Sequence, residues 1–151
     1  MNWFPVLLVI HIMLAVSLLA PSLLLPFLLR RAGATGGIPD PLTRMLMSLQ
    51  GTGSVIIGLG LALTGAGLLA LLGTQLLTQP WLIVALAIYA ANLLVAAFVS
   101  RPNLRRLMGI DGSADDATWR RRARQQRYLA YGMAAATGAI GLLMSTKPTL
   151  W

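Results

Sequence analysis

Apolar residues fill four long stretches of this chain, roughly Pro5 to Leu29, Met45 to Leu72, Trp81 to Ser100 and Tyr128 to Ser145, and none of the four contains Asp, Glu, Lys or Arg. About 20 apolar residues in a helix cross a bilayer core, so each stretch predicts one transmembrane span. The polar positions fall between them. Eleven of the twelve Lys and Arg residues lie in two segments, 30–44 and 101–127. Short loops rich in Lys and Arg remain on the cytoplasmic side of a membrane. Both segments are therefore expected to be cytoplasmic loops, with the N-terminus, the turn at 74–80 and the C-terminus outside. The expected architecture is all-α, a polytopic four-transmembrane-helix bundle forming one domain over residues 1–151.

Within the spans, the pattern predicts local detail. Pro21 and Pro26 fall in the inner half of the first span, where a missing amide hydrogen and a ring clash bend or unwind a helix. In the second span Ser54, Gly58, Ala62, Ala66 and Ala70 recur every fourth residue, with Gly53, Gly60 and Gly67 close beside them. In lipid, helices associate where small residues let backbones approach, so this ribbon predicts a helix-packing face. Its partner is either another helix of the same chain or a further subunit. Gly132 with Ala136, Ala134 with Gly138, Thr137 with Gly141, and Ala87 with Ala91 offer matching positions. After Gly112, Ser113 followed by Asp116 is close to a capping box, and Asp115 and Asp116 suit the positive end of a helix dipole. A helix is expected to begin near Ala114 and run into the fourth span. Trp3, Phe4, Trp81 and Trp151 fall at outer ends of spans, and Trp119, Tyr128 and Tyr131 at an inner end, where aromatic rings anchor at the lipid interface.

Composition narrows the class further. With 57% hydrophobic and 11% charged residues the chain has too little polar surface to dissolve. A net charge of +8 would point to nucleic acid in a soluble protein. Here it is confined to membrane-flanking segments, which argues for anionic lipid and against nucleic acid. Arg30, Arg31, Arg105, Arg106, Arg120, Arg121, Arg122, Arg124 and Arg127 are the expected head-group contacts, an acidic protein surface being the alternative. The absence of Cys excludes disulfides and thiolate chemistry. Met1 to Phe4 lacks the positive charge of a signal peptide, so the first apolar stretch is read as a retained span. Eleven Arg against one Lys, with abundant Ala, Leu and Gly, fits a GC-rich bacterial genome and places the protein in a bacterial cytoplasmic membrane.

Candidate chemistry is sparse. His11 is the only histidine and lies about 9 Å inside the first span at 1.5 Å per residue. By the same count Thr64, Tyr89 and Thr137 come to about 12 Å depth on the other three spans, so the four residues could share one polar layer, structural or ligand-binding. Asn92 and Gln50 are read as interhelical hydrogen-bonders. One histidine excludes a bis-histidine haem within one chain, Met13 points to nearly the opposite helix face, and no Cys completes a copper set. The only acids, Asp40, Asp111, Asp115 and Asp116, lie outside the spans, which argues against proton-coupled transport. No nucleophile–base pair or phosphate loop is present. No catalytic residue is assigned, and no metal site beyond His11 itself.

His11 in the first span, Thr64-Gly65 in the second, Trp81 opening the third, the RPNLRRL stretch from Arg101 to Leu107, the Arg-rich run into the fourth span and Lys147-Pro148 together resemble a family of bacterial four-helix integral membrane proteins of unknown function. That family looks distantly similar to the copper-resistance D and membrane protoporphyrinogen-oxidase-like proteins. The resemblance implies a first-span histidine near haem or metal, which falls on His11. Two functions are therefore expected: a non-catalytic accessory or anchoring subunit of a larger membrane complex, redox, respiratory or photosynthetic, with other membrane subunits as partners; or a haem- or metal-associated redox protein that uses His11. A small-molecule or lipid transporter is a third.

Overall fold

The computed structural model describes residues 3–34, 40–109 and 115–147. Four helices carry the chain: α1 (Trp3–Ala34), α2 (Pro41–Leu72), α3 (Pro80–Leu107) and α4 (Asp116–Thr146), with a short 3-10 turn, Thr74–Thr78, between α2 and α3. Each is long and apolar enough to cross a membrane, so the chain is a membrane protein by the length and composition of its helices. No strand occurs among the described residues.

α1 carries Arg30 and Arg31 in its last turns and α3 runs through Arg101 to Leu107, so both helices extend into segments expected to be loops. α4 takes in all five arginines from Arg120 to Arg127, as the helix expected to begin near Ala114 requires. Arginine is a good helix former, so a basic run does not end a helix. α1 also runs as one continuous helix through Pro21 and Pro26, without the local unwinding that was one of the two expected outcomes there. Both prolines are buried against neighbouring helices, a setting in which membrane helices tolerate the missing bond.

Local chemistry sets the ends. Asp40 caps α2, with Pro41 in the first turn: the Thr43 amide donates to Asp40 Oδ1 at 3.0 Å and the Thr43 hydroxyl donates to the same oxygen. These two bonds, aided by the charge of Arg31, hold the Asp40 carboxyl below its ordinary value of 3.8. A depressed folded value means that the cap is fully formed above 3.8 and is lost as pH falls through the lower folded value. The Thr43 amide resonance in detergent should therefore titrate with a midpoint below 3.8; a midpoint at or above that value would rule the cap out. Gly73 ends α2 at φ 101°, a conformation that side chains disfavour, and turns the chain into the 3-10 segment. α4 starts at Asp116 behind the N-cap Asp115. Ser113, Ala114, Asp111, Pro148 and Trp151 lie outside the described residues.

α1 packs along both α2 and α4, α3 packs along α4, and α2 meets α3 largely through two π turns, Leu49–Gly53 in α2 and Ala96–Ser100 in α3. The four helices thus form a ring in which sequence neighbours are also spatial neighbours. Packing is uneven along the bundle. At the basic end Leu25, Leu29, Ala32, Met47, Leu104, Leu107, Trp119 and Ala123 form one buried cluster. At the opposite end none of residues 3–20 of α1 is buried. Trp119, expected at the lipid interface, belongs to this core instead, while Tyr128 and Tyr131 are exposed. Trp119 starts a 4-3-4-3-4 seam through Ala123, Gln126, Ala130, Met133 and Thr137, all buried except the half-buried Thr137, and that spacing points it at the other helices.

Candidate functional site

Polar side chains inside the bundle occur in two regions. In the half away from the basic end, α1 and α2 meet on a glycine-lined seam. A Cβ at Gly67 would lie 3.4 Å from Leu7, one at Gly60 3.5 Å from Leu14, and one at Gly65 3.3 Å from His11 Cε1. His11 rests on Gly65 and bonds Thr64, with Nδ1 to Oγ1 at 2.9 Å. The Thr64 hydroxyl is also 3.0 Å from the Gly60 carbonyl and 3.1 Å from that of Leu61. The His11–Thr64 bond joins the two side chains through Nδ1, and the ring's tautomer sets which of the two donates. Nitrogen-15 spectra read which ring nitrogen carries the proton. Thr64→Val should lower stability by about 1 kcal/mol, the usual worth of one interhelical bond in a membrane, as read from denaturation in mixed micelles; an unchanged midpoint and ring spectrum would show that the pair is not formed.

The other two members of the expected layer bond elsewhere. The Tyr89 hydroxyl donates to the Gly58 carbonyl, joining α3 to α2. Thr137 accepts from Asn92 Nδ2 at 3.3 Å and donates to the Met133 carbonyl at 2.9 Å, joining α4 to α3. His11, Thr64, Tyr89 and Thr137 therefore occupy three separate seams. Similar depth does not bring side chains together when each points along the wall between adjacent helices instead of toward the bundle axis.

The second polar region was only partly foreseen. Between the tight cluster at the basic end and the middle of the bundle, the π turns place Gln50 and Ser100 inside, both essentially without solvent access. Gln126 Nε2 donates to Ser100 Oγ at 2.7 Å, while its Oε1 accepts from Asn103 Nδ2 at 3.0 Å, and Asn103 also reaches the Arg122 carbonyl at 3.3 Å. Gln126 thus has a partner on each amide atom. Gln50 is not. Its Nε2 reaches Ser22 Oγ only at 3.5 Å and its buried Oε1 has no partner. Ser54 is held by its own helix, donating to the Gln50 carbonyl. A wide helical turn carrying a buried, half-satisfied amide is a common mark of function. Gln126 escapes a sequence reading because it sits in the run RRRARQQRY, whose charge hides the seam spacing.

The small-residue ribbon of α2 divides in two. Ser54 and Gly58 are buried, whereas Ala62, Ala66 and Ala70 are exposed. At 3.6 residues per turn each four-residue step advances about 40°, so five such positions wind from the inside of the bundle to its outside. Gly60, Thr64 and Gly67 take over the contact with α1. Gly132, Gly138 and Gly141 of α4 have nothing within 4 Å of where a Cβ would be and serve no contact within the chain.

The nine arginines lie at one end of the bundle. Arg30, Arg31, Arg106, Arg120, Arg121 and Arg124 are exposed, and Arg105, Arg122 and Arg127 half-buried. Among the described residues no three His, Cys, Asp or Glu side chains come together as a metal site would need. No family model, curated protein or solved structure matches the chain.

Proposed function

We propose that this is a non-catalytic accessory or anchoring subunit of a larger complex in a bacterial cytoplasmic membrane, with the basic end cytoplasmic and both termini outside. The observation that carries this reading is the outward face of α2. Ala62, Ala66 and Ala70 are exposed together, on the same side of the helix as the exposed Leu59 and Leu63. A lipid-facing surface has no use for small residues, whereas a second helix needs them to approach closely. The loose packing of the half away from the basic end supports the same reading, because none of residues 3–20 is buried by this chain alone. The four apolar stretches carry no Asp, Glu, Lys or Arg, the groups that usually mark an ion path or catalytic centre in a membrane. The test is extraction in mild detergent with crosslinking. The wild type should come out with other membrane subunits, and Ala66→Leu should release them while leaving the isolated chain folded. A monodisperse lone monomer from the wild type would end the proposal.

A second reading is haem or metal association through His11, in line with the resemblance of the sequence to copper-resistance D-like proteins. One observation favours it: the bond to Thr64 holds the ring through Nδ1 and leaves Nε2 outside that bond, as an oriented histidine ligand requires. The donor set does not fit a site within one chain, since a single nitrogen has no companion ligand there, and a second copy or another subunit must supply it. Soret absorption or stoichiometric iron or copper that disappears in His11→Ala would support this reading, and colourless, metal-free protein from native membranes would remove it.

A further inference from the structure

The outer surface between α3 and α4 carries a groove of about 560 Å³. Ile88, Asn92 and Val95 line one side, and Tyr128, Gly132 and Ala136 the other. It is shaped by what is missing: Gly132 projects nothing into it, and a Cβ there would meet no atom within 4 Å. Gln125 stands at its end nearest the arginines. Beyond that end, on the same helix, Arg120, Arg121 and Arg124 surround a shallow depression with Ala117 and the carboxylate of Asp116. Three positive charges face one negative.

The two features share no lining residue but follow one another along α4. At 3.6 residues per turn, Arg121, Gln125, Tyr128, Gly132 and Ala136 fall within an arc of about 80°, with Arg124 about 40° beyond its edge. From Arg121 to Ala136 they span about 22 Å at 1.5 Å per residue, close to half of the 40–45 Å thickness of a bilayer with its head-group regions. Along that line the chemistry changes in the order found along a phospholipid: guanidinium groups for a phosphate, then the amide of Gln125 and the hydroxyl of Tyr128 at the depth of the ester groups, then an apolar trough for an acyl chain.

We infer that the α3–α4 groove is a binding site for one anionic phospholipid, with its phosphate on Arg121 and Arg124 and an acyl chain laid over Gly132. General attraction of a basic end to a membrane surface would give no defined stoichiometry and would not depend on Gly132. This site does both, and it is independent of the subunit partner proposed for α2.

The test is native mass spectrometry of the full chain in detergent, titrated with phosphatidylglycerol or with phosphatidylcholine of the same acyl composition. One phosphatidylglycerol should be retained per chain, in preference to phosphatidylcholine by about thirtyfold, the scale of two arginines at a membrane surface. Replacing both arginines, Arg121→Gln with Arg124→Gln, should erase the preference. Gly132→Leu should fill the trough and abolish retention of both lipids, while Gly138→Leu, equally open but outside the groove, should leave it intact. Folding of each variant is checked by its elution and helicity, since neither glycine has a neighbour to clash with. Equal retention of the two lipids, or unaltered binding in folded Gly132→Leu, would overturn the site. Retention of glycerol phosphate as strongly as of the lipid would assign it to a free phosphate instead. A crosslinked dimer of Gly132→Cys in native membranes, readable because the chain has no other cysteine, would put a second copy in the groove and equally overturn it.

Discussion

Gly58→Leu should destabilise the bundle by about 1–3 kcal/mol, the range for overpacking a filled contact. A Cβ at this position would already lie 2.7 Å from Leu93 Cδ1, with the Tyr89 hydroxyl at 3.7 Å. Alanine should be accepted, because Leu93 Cδ1 is the tip of a flexible chain and can turn away. Leucine cannot be accommodated without pushing α3 off α2 and stretching the bond from Tyr89 to the Gly58 carbonyl, which adds about 0.6–1.7 kcal/mol of loss. The effect should be large because α2 and α3 meet largely through the two π turns, and Gly58 is in contact with α3 outside them. Equilibrium denaturation in mixed micelles, followed by helicity, measures it, with Gly138→Leu as the matched change in open space. Equal midpoints for Gly58→Leu and the wild type would mean that α2 and α3 do not touch there.

The two buried glutamines should respond in opposite directions. Gln126→Ala should cost on the order of 3 kcal/mol, because it opens a cavity and leaves Ser100 and Asn103 short of partners in a dry interior. Gln126→Glu should be a poor substitute, since the Nε2 donor to Ser100 is replaced by an oxygen and a carboxyl is placed where burial opposes its charge. Gln50→Met should be neutral or mildly stabilising: it exchanges an amide with one long bond and one unpaired oxygen for an apolar chain of similar volume. A half-satisfied buried amide is retained at a cost, so the same substitution is also the best probe of whether Gln50 acts in the native complex. Stable, well-folded Gln50→Met protein that fails in the cell would assign it a role; protein that is both stable and competent would leave it as packing. A strong loss of stability would contradict the unpaired geometry itself.

The number, approximate limits and class of the elements were legible along the chain because a bilayer imposes one dominant rule. Four stretches without a charge, each near 20 residues or more, must each satisfy their backbone internally, and a helix is the way a single stretch does so. Helix-dipole and capping rules made Asp115 and Asp116 readable at the start of α4. Limits were set short for α1 and α3, whose helices run on through Arg30 and Arg31 and through Arg101 to Leu107.

What only the tertiary structure decided is which residues meet. Composition along a span is nearly uniform, and in lipid an apolar face carries no signal that tells inside from outside, so the amphipathic pattern that orients a soluble helix is absent. His11 and Thr64 were placed at similar depth by counting, but that they bond, and that Tyr89 and Thr137 turn to other seams, depends on the rotation of each helix about its own axis. Close glycine contacts accompany that rotation, Gly65 beneath His11 and Gly58 beneath Leu93. The partners of Gln126 and the unpaired oxygen of Gln50 are likewise visible only once the helices are packed. Hydrophobicity alone determined that this chain enters a membrane with four helices; close packing among small side chains decided how those helices face one another and which polar groups they enclose.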